Sequence, residues 1–70
     1  MKNKIRYFRK NNSNFTQEEL ANMTDVTRQT IIAIEQEKFN PSVKLALKIA
    51  RALDKKVEEL FELEEGDFNE

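Results

Sequence analysis

Gln17-Glu18-Glu19-Leu20-Ala21-Asn22-Met23-Thr24-Asp25-Val26-Thr27-Arg28-Gln29-Thr30-Ile31-Ile32-Ala33-Ile34-Glu35-Gln36 is the stretch that decides how this chain folds. It is flanked on its N-terminal side by Phe15 and Thr16. Thr16 with Glu19 three residues later forms a capping box, in which each side chain satisfies an orphan amide at a helix start. Phe15 before the cap and Leu20 after it form a hydrophobic staple. The same staple recurs where Val26 and Ile31 flank a Thr27 cap. Two helices therefore begin at Thr16 and Thr27, which leaves about eight residues for the first and a tight turn between them. Leu20, Ala21, Val26, Ile31 and Ile34 fall where two such helices would pack on each other, with Ala21 small at the closest approach and Val26 plugging the turn. Arg28, Gln29, Ile32, Ala33 and Gln36 then share the outward face of the second helix.

Outward from this unit the apolar spacing stays helical, at i, i+3, i+4. A first helix is expected from about Asn3 to Asn11, burying Ile5 and Phe8. Asn11-Asn12-Ser13-Asn14 ends it, because these side chains compete for backbone groups. A fourth helix is expected near Ser42, just after Pro41, with Leu45, Ala46, Ile49, Ala50 and Leu53 on its apolar side. A short fifth runs around Val57 to Phe61 with Leu60 inward. From Phe61 to Glu64 the pattern alternates, which reads as a short C-terminal β-strand or a frayed helix end. The fold class predicted is all-α, five helices, with that strand as its only β element. The domain is placed at residues 1–62, its central motif at 17–36, and an acidic tail at 63–70.

Seventy residues bury a small fraction of their surface, so such a chain needs idealised helix packing or a partner subunit. Cysteine and histidine are both missing from the sequence, which removes disulfides and soft-metal sites. Glu64-Glu65-Gly66-Asp67 lacks the alternating ligand spacing of a calcium loop. The apolar runs fall well short of the roughly 20 residues of a membrane span, and the expectation is a soluble, cytoplasmic protein without a metal or cofactor. A single glycine excludes a Gly-rich phosphate loop, and Ser13 and Ser42 sit where caps and turns explain them, so an enzyme is not expected.

The net charge of −1 conceals an asymmetry. Residues 58–70 hold seven acids and no Lys or Arg, which leaves 12 cations against six acids in residues 1–57. Met1 to Lys10 alone carries five cations and no acid. A basic body with an acidic end suggests a polyanion partner. Arg28 and Gln29 are the side-chain types that make bidentate hydrogen bonds to guanine and adenine edges in the major groove, and Ile32 or Ala33 beside them suits a thymine methyl.

At this point the sequence resembles the phage-repressor/Cro-like helix-turn-helix regulators of the xenobiotic-response-element type. The residues that carry the resemblance are Phe15 to Ala21, Val26 to Ile31, Ile34-Glu35 and Lys38-Phe39-Asn40-Pro41-Ser42, continuing through Leu45 to Ala50 and Glu59-Leu60-Phe61. The resemblance implies a repressor-like DNA-binding domain. By it, Gln17 bonds a DNA phosphate beside the helix-start amides, and Thr27, Arg28, Gln29 and Thr30 open the recognition helix. Arg28 and Gln29 are then the base readers, Thr27 and Thr30 touch phosphate, and Lys38 and Asn40 lie along the backbone. Ile32, Ala33 and Gln36 complete the expected DNA-facing set. Arg9 and Glu35 match a pair that forms an internal salt bridge, a structural role.

Three positions depart from the family pattern. Asp25 stands in the turn where Gly is usual, and Asp tolerates the left-handed conformation better than most residues. Glu37 stands where Gly often ends the recognition helix and brings an acid toward the expected DNA backbone. The connection between the first two helices is one residue longer than is common. The function expected is a transcriptional repressor that binds double-stranded DNA at a palindromic operator. One module reads few bases, so a homodimer is expected, through helix five and the tail (Phe61, Leu63, Phe68), with no small-molecule ligand. The alternative is a protein-interaction module of the antitoxin type, favoured by the near-neutral charge, Glu37 and Ile32.

Overall fold

The three longer helices all open on a hydroxyl. In the computed structural model, which describes residues 1–68, Thr16 accepts the Glu19 amide at 3.0 Å, Thr27 accepts that of Thr30 at 3.3 Å and Ser42 accepts that of Leu45 at 3.1 Å. Each bond satisfies one of the amides that a helix start leaves without a partner. The Thr16 box is complete, since Glu19 accepts the Thr16 amide in return at 2.9 Å. The chain runs β1 (Lys2–Asn3), α1 (Ile5–Phe8), a π-helical turn (Arg9–Ser13), α2 (Gln17–Met23), α3 (Arg28–Glu35), α4 (Val43–Leu53), α5 (Val57–Leu60), β2 (Phe61–Glu62) and a 3₁₀ turn (Glu65–Phe68).

The helix ends obey a second rule. Among the described residues, four non-glycine residues take the left-handed conformation: Asn14, Asp25, Glu37 and Asp54, with φ between 55° and 63°. After α2, α3 and α4 the same pair of bonds follows, for example Lys38 N–H to the Ala33 carbonyl and Glu37 N–H to that of Ile34, both at 2.9 Å. This is the Schellman arrangement, which satisfies the last carbonyls of a helix. Asn and Asp take the left-handed well at modest cost, whereas Glu37 has no such short side chain. Its carboxylate is instead bonded to the Asn3 amide at 3.2 Å, so the acid expected beside DNA is engaged by the N-terminal strand.

The first helix differs from expectation at both ends. Lys2–Asn3 is strand, pairing antiparallel with Phe61–Glu62 in the register Lys2 to Glu62 and Asn3 to Phe61. The α-helix therefore starts at Ile5, and the Lys4 amide continues the pairing by donating to the Leu60 carbonyl at 2.8 Å. After Phe8 the helix widens into the π turn, which Asn14 closes. A π turn holds an extra residue, and here it accommodates the one-residue excess of this connection.

Ile5, Leu20, Ala21, Ile31, Ile34, Ile49, Ala50, Leu53 and Leu60 form the core, with Phe8, Phe15, Val26, Leu45 and Phe61 packed against it. Two polar residues are buried with them, Arg9 and Thr24. The Thr24 hydroxyl donates to the Leu20 carbonyl at 2.8 Å, so it enters the core with its polar group satisfied. Asn3 ties three elements together: its Nδ2 donates to the Ile34 carbonyl at 2.8 Å and its Oδ1 accepts the Ile5 amide at 3.3 Å.

The tail folds back on the chain start. The Met1 ammonium lies 3.2 Å from both Glu64 and Asp67, and the Asp67 carboxylate accepts the Glu64 amide at 2.8 Å. Bonds to Asp67 and then Glu64 raise the pKa of the amine. The Glu64 amide and then the amine lower that of Asp67. Among the described residues, no helix is long and apolar enough to cross a membrane, and no group of three acidic, His or Cys side chains is gathered to hold a metal.

Candidate nucleic-acid interface

The site is assembled on a buried ion pair. Arg9 donates Nε to Glu35 Oε2 at 2.8 Å and Nη2 to Oε1 at 3.1 Å, a two-pronged arrangement, and gives Nη1 to the Phe15 carbonyl at 2.9 Å. The side chains are 7 % and 4 % exposed, so the pair is held out of water and its geometry is fixed. It joins the end of the first helix to the end of α3 and orients both. Arg9 and Glu35 are thus structural, as the resemblance implies.

From this pair a hydrogen-bond chain runs to the surface. Glu35 Oε1 accepts Gln17 Nε2 at 3.2 Å, and Gln17 Oε1 accepts Arg28 Nη2 at 3.4 Å. Gln17, the first residue of α2, is half-buried, while Arg28 on the first turn of α3 is exposed. One amide hydrogen of Gln17 is committed to Glu35, and the amide group has a second to offer a ligand. Arg28 is held against Gln17 at the edge of the exposed face of α3.

α3 itself is divided cleanly. Ile31 and Ile34 are fully buried, while Arg28, Gln29 and Gln36 are exposed. Ile32 and Ala33 are half-buried, and Ile32 lines a groove beside Arg28 and Gln36. Thr27 and Thr30 lie at the helix start with their hydroxyls 3.1 Å apart; Thr27 also caps the helix. Lys38 and Asn40 are exposed in the loop that leads to α4. The ten residues expected to face DNA thus fall along the start of α2, the outer side of α3 and the following loop.

The groove has a volume of about 660 Å³ and is lined by residues of the first helix and π turn, α2 and α3. Two of its cations, Arg6 and Lys10, were not among the residues that the sequence singled out for DNA. Their signal was the acid-free run Met1–Lys10 and their four-residue spacing. Of the residues expected to join two copies, Leu63 is 57 % exposed, whereas Phe61 is half-buried and packs on the core of its own chain. The Phe68 side chain is outside what the structure describes. Val43 and Leu47, one turn apart on α4, and Phe39 before it are further exposed apolar side chains.

Two short helices meeting through Leu20, Ala21, Ile31 and Ile34, with the second presenting Arg and Gln to solvent, define a helix-turn-helix unit. The family model described as Helix-turn-helix matches residues 5–60. An uncharacterized HTH-type transcriptional regulator of Methanocaldococcus jannaschii is 51 % identical over 67 residues, covering 96 % of this chain and 100 % of that protein. The HTH-type regulator YgzD of Bacillus subtilis is 46 % identical over 65 residues, covering 93 % and 97 %. The crystal structure of a hypothetical transcription factor from Neisseria, NHTF, superposes with a TM-score of 0.72 at 31 % identity over 79 % of this chain. The present chain spans 61 % of that one. The chain belongs to the Helix-turn-helix family, of the Cro/C1 type, a family of DNA-binding transcriptional regulators.

Proposed function

We propose that the protein is a repressor that reads a palindromic operator as a homodimer, with α3 of each copy in the major groove. The observation that carries this reading is the face of α3. Arg28, Gln29 and Gln36 stand exposed on a helix whose other side is locked into the core by Ile31 and Ile34. Rigid support matters, because a bidentate bond to a base edge tolerates little displacement. Arg28 and Gln29 act as the base readers, with Ile32 and Ala33 beside them for apolar contact. Gln17, Thr27, Thr30, Lys38 and Asn40 hold the phosphate backbone and so fix register without reading sequence.

Homodimer formation doubles a reading surface that is too small alone, and the operator is then palindromic with half-sites one helical turn apart. Among the described residues of the expected self-association surface, Leu63 is the exposed apolar group. Repression is the mode proposed, with the bound dimer occupying the promoter. The test is Gln29→Ala assayed on a selected operator and on random duplex. The operator loses about 1–3 kcal/mol of affinity per half-site and its base preference relaxes at one position in each, while random DNA is unaffected. Equal losses on both DNAs would contradict a base-reading Gln29.

A further inference from the structure

The groove beside the motif extends beyond every residue that the reading above uses. Arg6 on α1 and Lys10 in the π turn line it together with Gln17, Arg28, Ile32 and Gln36. Arg9 and Glu35, also in its lining, neutralise each other in their buried pair. That leaves three cations, Arg6, Lys10 and Arg28, against the single acid Glu18. Arg6 and Lys10 are exposed and, among the described residues, belong to none of the ion pairs. An open, positively lined trough whose cations lack acidic partners suits a linear polyanion.

We infer that Arg6 and Lys10 carry the phosphate backbone bordering the major groove that α3 enters, so that the DNA footprint runs from α3 across Gln17 onto the first helix. The inference rests on the regulator reading above and extends its site. It follows from continuity: Gln17 and Arg28 are shared between the reading face and the groove, so a strand passing over them runs on toward Arg6 and Lys10. Duplex DNA carries a negative charge for about each 1.7 Å of its axis, and a strand edge laid along the trough meets both cations. The π turn contributes by holding Arg9 in the core and Lys10, the next residue, in the groove. Phosphate contacts carry no sequence information, so these two residues supply affinity and docking orientation rather than base choice.

The test uses the full chain with Arg6→Gln, Lys10→Gln and, as a control for charge alone, Arg51→Gln, an exposed cation of α4 outside the groove. Affinity is measured from low to moderate salt on an operator duplex selected from a random pool and on random-sequence duplex. Each groove substitution removes one phosphate contact from each copy, so the slope of log affinity against log salt becomes shallower by about 1.8 for the dimer, about 0.9 per contact. Affinity falls by the same factor on both duplexes, melting temperature is unchanged, and Arg51→Gln leaves the slope at the wild-type value. Slopes equal to wild type for Arg6→Gln and Lys10→Gln overturn the inference while leaving the regulator reading intact. A loss confined to the operator also overturns it, since that marks base reading. A wild-type chain that binds no duplex overturns the regulator reading and this inference with it.

Discussion

At the scale of single residues, Arg9 is the most consequential side chain in the molecule. A buried ion pair adds little net stability by existing, because desolvation offsets most of the attraction, but removing one partner strands a charge in the core. Arg9→Met leaves Glu35 uncompensated beneath Gln17 and is expected to cost about 3–5 kcal/mol in urea denaturation. That is a large part of the stability of a domain this size. Arg9→Met combined with Glu35→Leu is expected to recover much of that loss, because the stranded charge is gone. A loss below about 1 kcal/mol for Arg9→Met would show that the pair is not shielded from water as described. The pairing itself was visible in the sequence only through resemblance to relatives, since no local pattern links positions 26 residues apart. Thr24 and Asn3 carried no sequence signal. A hydroxyl that bonds its own helix is inexpensive to bury, and an amide that caps a distant helix end leaves no periodic trace.

At the scale of elements, the capping signals were the legible part. Thr16, Thr27 and Ser42 each sit where spacing places a helix start, and each accepts the expected amide. Thr16→Ala and Thr27→Ala should each cost about 1 kcal/mol, seen as a melting temperature lower by about 4–8 °C. Shifts below a degree for both would contradict these caps. The short elements were less legible. β1 and β2 have two residues each, too few for alternation to declare itself, and they are held by pairing across the whole chain length. The π turn was not foreseen; its only trace was one residue too many between the first two helices.

The tail turn makes a prediction in pH. Asp67 is held below its ordinary pKa of 3.8, and the Met1 amine above its ordinary 8.0. The carboxylate contribution is therefore present above 3.8 and is lost as pH falls through the lowered Asp67 value. The amine contribution is present below 8.0 and is lost as pH rises through the raised amine value. Between these limits the turn is closed. The Glu64 amide resonance should report both transitions, the acidic one disappearing in Asp67→Asn. An amide shift that titrates identically in Asp67→Asn would contradict the contact.

At the scale of the whole molecule, the charge distribution and the fold agree. Arg6, Lys10 and Arg28 line the groove beside the motif, while Glu64 and Asp67 of the tail pair with the Met1 ammonium. The sequence identified the helix-turn-helix family and the helical fold. It did not single out Arg6 and Lys10, which line the groove, because a run of Lys and Arg is indistinguishable from an ordinary solvated surface until the fold brings it beside the motif. It also expected Phe61 at a surface between two copies; Phe61 is half-buried against the core of its own chain, and Leu63 is an exposed apolar side chain of that end.

The central claim is that α3 reads base sequence, twice, in a symmetric complex. Selection of bound duplexes from a random DNA pool at moderate salt, read by sequencing, tests it most directly. A palindromic consensus is expected, with half-sites one helical turn apart, about 34–36 Å between centres. Recovery of sequence-blind binding alone, or of a single unpaired half-site, would contradict it.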